Sequence, residues 1–149
     1  MKRKVTPLNS LADVRRIREF LRGKPRDLLL FDLATQTGME IRQILNLRVR
    51  DLADCKTGNQ LIFQHPGHKP PTVLKVFATL SKSWERYRRE IAPAPDDFLI
   101  KSQKKASPPT LSSVSHMING WFAVAEVKGV KGAKSLKRTW EAFFKSRAP

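Results

Sequence analysis

The segment PRDLLLFDLATQTG, residues 25–38, constrains the fold more than any other part of the chain. Pro25 suits the first turn of a helix, because the N–H group that proline lacks would have no helical partner there. Five large apolar residues follow between positions 28 and 33, which gives this helix a wide apolar face. Gly38 is the type of residue that commonly ends a helix in a left-handed conformation. We therefore predict a central, largely buried helix over residues 25–37.

Apolar residues at helical spacing recur along the rest of the chain. Ser10 is a candidate N-cap for a first helix that starts at Leu11 and stops before Gly23, and Thr110 is a candidate N-cap for a helix starting at Leu111. Three further helices have predicted inward faces formed by Ile41, Ile44, Leu45 and Leu47, by Leu80, Trp84, Tyr87 and Ile91, and by Leu136, Trp140, Phe143 and Phe144.

Between the third and fourth helices the pattern changes from helix to strand. NQLIFQ and TVLKVF are short β-type runs, and HPGHKPP between them can turn the chain. The sequence therefore predicts a mainly α protein with a small antiparallel β-hairpin. We expect a basic N-terminal arm over residues 1–9 and a single domain over residues 10–149.

The charge of the chain points to a polyanionic partner. It has 29 Lys and Arg against 13 Asp and Glu, which gives a formal net charge of +16 at pH 7. Nucleic acid is the first candidate and an anionic membrane surface the second. The basic residues are spread over many elements and do not form one amphipathic stripe, which argues against the membrane surface. On the first helix, Arg15, Arg16, Arg18 and Arg22 are predicted to form a solvated face.

Other features exclude several classes of protein. A single cysteine, Cys55, cannot form an internal disulfide or a multi-cysteine zinc site, and the three histidines are poorly spaced for metal binding. MKRK at the start is followed by no apolar signal region, and no apolar run approaches the ~20 residues that span a bilayer. We expect a cytoplasmic protein without a metal, cofactor, small-molecule substrate or membrane association.

The order of the predicted elements resembles the catalytic domain of the tyrosine recombinases, the phage-integrase family. That family carries a helix, then Thr-Gly-aliphatic-Arg, then an apolar helix ending in Leu-x-x-x-Asp-aliphatic. The residues that match in TQTGMEIRQILNLRVRDL are Thr37, Gly38, Met39, Asp51 and Leu52. The hairpin, a helix, the capped helix TLSSVSHMI and the segment KSLK, which corresponds to the second signature box His-x-x-Arg, follow in the family's order. The resemblance covers roughly residues 10–146 and implies a recombinase-like fold that is truncated at its C-terminus.

The resemblance also implies that the catalytic residues are lost. The family's first catalytic arginine falls on Glu40, and the histidine and arginine of the second box fall on Lys134 and Lys137. Glu40 equally suits the first turn of a helix, where an acid faces the positive end of the dipole. The hairpin lysine of the family aligns loosely with Pro66, and Lys69 is the nearest substitute. The single tyrosine, Tyr87, precedes the second box and has core spacing, whereas the family's nucleophile follows that box. We therefore predict that the protein is not an enzyme.

The basic surface is predicted to be retained for DNA. From Lys101 to the end there are ten Lys or Arg and only two acids, Glu126 and Glu141. Positive charge without interleaved acids favours a polyanionic partner. Thr110 either caps its helix or contacts DNA. The predicted DNA-binding residues are Arg42, Arg48, Arg50, Lys69, Lys104, Lys105, Thr110, Lys128, Lys131, Lys134, Lys137 and Arg138.

These features together predict a non-catalytic protein that binds double-stranded DNA on an integrase-like fold. By analogy, such a protein serves as an accessory or regulatory factor of a mobile genetic element such as a plasmid, a phage or a conjugative element. Two alternatives stay open at this point. One is an active or split tyrosine recombinase, and the other is a basic protein associated with RNA or the ribosome. The sequence indicates neither the DNA sequence recognised nor the oligomeric state.

Overall fold

The computed structural model describes residues 11–53, 55–63, 67, 70–102, 105–126 and 134–143. Within them the α-helices are α1 (Leu11–Phe20), α2 (Pro25–Thr37), α3 (Ile41–Leu45), α4 (Ala78–Ile91), α5 (Leu111–Val124) and α6 (Lys134–Phe143). Strands β1 (Gln60–Phe63) and β2 (Thr72–Lys75) lie between α3 and α4. Short 3-10 helices follow α1 at Leu21–Gly23 and α3 at Val49–Leu52. The predicted arm, residues 1–9, and the candidate cap Ser10 lie outside the described residues.

Helix α2 is the centre of the fold, as its sequence predicts. Eleven of its 13 residues are buried, and it packs against α3, α4 and α6. Phe31 of α2 meets Trp121 of α5 edge to face, with the ring centroids 6.1 Å apart. The buried apolar side chains of these elements form a single core cluster. The boundaries predicted from Pro25 and Gly38 are confirmed.

Gly38 ends α2 and allows α6 to approach closely. Its φ of +73° is left-handed, a conformation that only glycine adopts without strain. A Cβ atom at this position would lie 2.5 Å from Cδ2 of the Trp140 ring. Glycine is therefore needed here for two reasons, the direction of the chain and the space that Trp140 occupies. The residues that follow Gly38 consequently begin α3 beside α6.

The hairpin agrees with the prediction of an antiparallel pair. Leu61 of β1 lies opposite Leu74 of β2, and both side chains are buried. Ile62 and Val73 face outward and are 58% and 45% exposed. Buried and exposed side chains therefore alternate along both strands, as expected for a hairpin with one face on the core and one face in solvent.

A buried ion pair ties three helices together. Both carboxylate oxygens of Asp32 in α2 accept hydrogen bonds from the Arg18 guanidinium of α1, at 2.9 Å each. The Ser83 hydroxyl of α4 donates to the same carboxylate. The prediction that Arg18 belongs to a solvated helix face is therefore wrong, because the fold brings its guanidinium to a buried acid on α2.

One prediction about helix extent is wrong. The third helix ends at Leu45, so Leu47, which was predicted to lie on it, follows its end, as do Arg48 and Arg50. The chain leaves the helix because Leu47 O and Val49 N–H bond to the extended segment at Leu99 N and Asp97 O, and this tertiary pairing overrides helical periodicity.

A separate error concerns the burial of Ile91, the last residue of the fourth helix. Ile91 was predicted to face inward but is 46% exposed, because α4 ends at this residue and Ala92 turns the chain with a φ of +49°.

Among the described residues, no helix combines the length and the apolar character that crossing a membrane requires.

Candidate nucleic-acid interface

Three predicted DNA contacts lie on the outer side of α6. Leu136 and Thr139 are fully buried against the core, so the intervening positions face solvent. The exposed cations of this helix are Lys134, Lys137 and Arg138. We call these three residues the α6 cation cluster. Their spacing of three and four residues places them within one turn of each other along the helix.

The structure brings Lys137 to Glu40. The lysine Nζ lies 3.6 Å from Oε1 of the glutamate, and the two side chains are 47% and 66% exposed. Glu40 is the residue immediately before α3, and Gly38 with Trp140 holds this part of the chain against α6. Two positions 97 residues apart in sequence, both assigned to catalytic arginines by the resemblance, are therefore neighbours with opposite charges.

Glu40 is also the N-cap residue of α3. Its backbone N–H donates to the Gln43 side-chain oxygen at 3.0 Å, and its carboxylate faces the backbone of Gln43, so the two residues form a capping box. The prediction of an acid in the first turn is therefore displaced by one residue, because Glu40 caps α3 and precedes its first turn. Among the described residues, Lys134 and Arg138 have no acid within 4 Å, so within the α6 cation cluster only Lys137 is ion-paired.

Arg48 and Arg50 lie at a different place, against the segment that precedes Leu99. The Arg48 guanidinium stacks 3.7 Å from the centroid of the Phe98 ring and donates to the Asp96 carbonyl oxygen at 3.0 Å. Arg50 forms an ion pair with the Asp96 carboxylate. Both guanidinium groups therefore already have intramolecular partners, and their contact with DNA stays a prediction.

Arg42, Lys105 and Thr110 differ in how far their side chains are engaged. Arg42 on α3 and Lys105 in the loop before α5 are exposed. The Thr110 hydroxyl accepts the backbone N–H of Ser113 at 3.1 Å and is the N-cap of α5. The capping role of Thr110 is confirmed, whereas a DNA contact is untested. The predicted site residues Lys69, Lys104, Lys128 and Lys131, together with Pro66, lie outside the described residues.

Tyr87 occupies the core, as its spacing predicts. Its side chain is 2% exposed, and its hydroxyl donates to the Leu99 carbonyl oxygen at 2.6 Å. Burial raises the pKa of the Tyr87 hydroxyl. A phenol that is buried, protonated and already hydrogen-bonded is poorly suited to attack a phosphodiester.

The segment beside Arg48 contains a carboxylate, that of Asp97, which is held by hydrogen bonds within the same segment. The Asp97 carboxylate accepts the backbone N–H of Ala94 at 3.0 Å and contacts Lys101 Nζ at 3.1 Å. These hydrogen bonds, the backbone one first, lower the pKa of Asp97. The loop that holds Arg48 and Arg50 is therefore fastened by an ionised carboxylate at neutral pH.

A groove of about 510 Å³ lies elsewhere, between α5 and the junction of α1 with α2. Phe20, Met117 and Trp121 form much of its floor, with Lys24 and Arg26 at its side. Of the predicted DNA-binding residues that the structure describes, none lines this groove. Among the described residues, no three His, Cys, Asp or Glu side chains lie close enough together to hold a metal ion.

The pairing of Glu40 with Lys137 was not predicted from the sequence. The available signal was a pair of opposite charges at two positions that the resemblance assigns to one phosphate pocket. The interaction of Arg48 and Arg50 with Asp96 had no such signal, because it depends on how the chain folds back after α4.

No protein-family model matches this sequence, and no curated protein matches it significantly. The structure does match a solved structure titled "Crystal structure of XerA recombinase", with a TM-score of 0.78 and 17% sequence identity. The match covers 94% of this chain and 50% of the recombinase chain, so this chain spans half the length of that protein. At this identity the likeness concerns the fold. The chain has a fold like that of a tyrosine recombinase catalytic domain.

Proposed function

We propose that this chain binds double-stranded DNA without cleaving it, as an accessory or regulatory factor of a mobile genetic element. The observation that carries the proposal is the Glu40–Lys137 pair, 3.6 Å apart, at two positions that the resemblance assigns to catalytic arginines. The fold and the net charge of +16 support binding to DNA. The carboxylate at position 40 and the lysine at position 137 argue against catalysis.

The charge at position 40 is the first reason. An arginine there could grip a phosphate with two hydrogen bonds and stabilise the charge that develops during transfer. A carboxylate at ~4 Å from a phosphate instead adds a repulsion of ~1–4 kcal/mol in moderately polar surroundings.

The lysines at the second signature box keep their positive charge but cannot perform the catalytic steps. Lys134 and Lys137 are cations, but neither has an imidazole that exchanges protons near neutral pH or a planar guanidinium fork. The sequence contains one tyrosine, and it is buried and bonded to Leu99. Phosphate contacts by lysines position a protein on DNA without breaking the backbone.

Two measurements on the purified chain test the proposal. In the first, supercoiled plasmid is incubated with the protein and analysed for nicks and for covalent protein–DNA adducts after denaturation. We expect neither. Either product would show that the chain is an active recombinase and would refute the non-catalytic assignment.

The second measurement is the salt dependence of binding to duplex DNA. We expect the logarithm of the binding constant to fall linearly with the logarithm of salt concentration. Replacing the α6 cation cluster with alanine should reduce that slope by about 2 to 3, since each phosphate contact contributes about 0.9. A flat dependence, or stronger competition by structured RNA than by duplex DNA, contradicts the proposal.

A further inference from the structure

We infer that Glu40 is a built-in competitor for phosphate, which reduces the DNA affinity of this chain by neutralising Lys137. The inference rests on the proposed function, because it assumes that DNA contacts the α6 cation cluster. The proposed function treats position 40 only as a place where a catalytic arginine is missing. The inference adds that the glutamate itself lowers the affinity for DNA.

The position of the carboxylate supports this role. Glu40 lies beside a group that attracts an anion, the Nζ of Lys137 at 3.6 Å. A phosphate approaching Lys137 must displace this carboxylate or share the lysine with it. Because the acid is part of the same chain, it is present at a high effective concentration at all protein concentrations.

The charges around Glu40 restrict its effect on phosphate binding to one lysine of the cluster. Within the α6 cation cluster, and among the described residues, Lys137 alone has an acid within 4 Å. Both partners are exposed, so the pair is reachable from solvent and is not locked by burial. Lys134 and Arg138 are expected to contact phosphate in the natural chain, whereas Lys137 is expected to contribute little until Glu40 is neutralised.

Glu40→Gln is the appropriate change, because glutamine keeps an oxygen that can accept the backbone hydrogen bond of the capping box while removing the charge. Glu19→Gln is the matched control. Glu19 is also exposed and ion-paired, at 3.0 Å to Arg22 on α1, so the control changes the net charge equally at a different place.

The test is a cycle of four proteins, namely the natural chain, Glu40→Gln, Lys137→Ala and the double variant, measured on one DNA duplex at several salt concentrations. Glu40→Gln should bind about three to ten times more tightly and steepen the salt slope by about 1, the value of one added phosphate contact. Lys137→Ala alone should change affinity less than about twofold, and the double variant should lose the gain.

The outcomes separate the two levels of inference. If the natural chain and Glu40→Gln both fail to bind DNA, the proposed function is wrong. If both bind equally, or Glu19→Gln matches the gain of Glu40→Gln, DNA binding stands and the competitor role is refuted. A gain in Glu40→Gln that survives Lys137→Ala also refutes it, because the effect would then not pass through this lysine.

Discussion

Replacement of Gly38 by alanine should destabilise the protein through two separate effects. The φ of +73° is left-handed, and a non-glycine residue there costs about 1–2 kcal/mol. The added Cβ would also lie 2.5 Å from the Trp140 ring, which must move aside. Overpacking of this kind costs typically ~1–3 kcal/mol, and Trp140 is only partly buried, so the lower half of that range applies. The expected total is about 2–4 kcal/mol.

Two other glycines provide controls that separate these effects. Gly58 has a φ of +87°, and no atom of the described residues lies within 4 Å of the place a Cβ would take, so Gly58→Ala should show only the backbone cost of about 1–2 kcal/mol. Gly120 lies inside α5, and its Cβ would likewise meet nothing within 4 Å in the part of the chain that the structure describes, so Gly120→Ala should stabilise by up to about 1 kcal/mol. The three variants differ from the natural chain by the same single methyl group.

Urea unfolding followed by far-UV circular dichroism measures these differences, because the helices dominate that signal and no tryptophan probe is required. With an unchanged m-value, the shift in midpoint reports stability directly. If Gly38→Ala and Gly58→Ala cost the same, the close approach of Trp140 contributes nothing. If Gly38→Ala costs less than about 0.5 kcal/mol, the left-handed helix stop itself is refuted.

Two further variants test buried groups. Burial, assisted by the charge of Glu85, raises the pKa of Cys55 to about 12, above its value in the unfolded chain, so its stabilising contribution is full below about pH 8.5 and is lost as pH rises towards 12. Cys55 should therefore resist a thiol reagent at pH 8 until urea unfolds the chain, and rapid labelling of the folded protein contradicts this. Between pH 8 and pH 10 the free energy of unfolding should fall less in Cys55→Ala than in the natural chain. Asp32→Asn should cost about 3 kcal/mol, because it leaves Arg18 without its buried partner, whereas the exposed pair of Arg50 with Asp96 should lose at most about 1 kcal/mol in Asp96→Asn. Equal losses in the two urea titrations would show that burial of the Asp32 pair has no energetic weight.

The features predicted correctly from the sequence are those set by local chemistry. Pro25 and Gly38 defined both ends of α2, Thr110 capped α5, and the alternation around Leu61 and Leu74 gave the hairpin. Each depends on a residue's own backbone preference or on the period of apolar residues, which neighbours a few positions away already determine.

The features that were missed depend on contacts between distant segments. The third helix stops early because residues 47–49 bond to residues 97–99, and no residue near position 47 encodes that partner. Arg18 looked solvated because its own helix is basic, and only the tertiary fold brings it to Asp32 on α2. For the site, resemblance identified Glu40 and Lys137 as important positions, but only the fold shows that their charges meet.

The position of α6 is set by packing and not by its ion pair, and this separates the stability of the protein from its proposed DNA affinity. Leu136 is fully buried and Trp140 rests on Gly38, whereas Glu40 and Lys137 are both about half exposed. An exposed pair of this kind contributes at most about 1 kcal/mol, well below the cost expected for Gly38→Ala. Accordingly, Glu40→Gln should alter DNA binding with an unfolding midpoint close to that of the natural chain, since the helices that carry the site are held by their core.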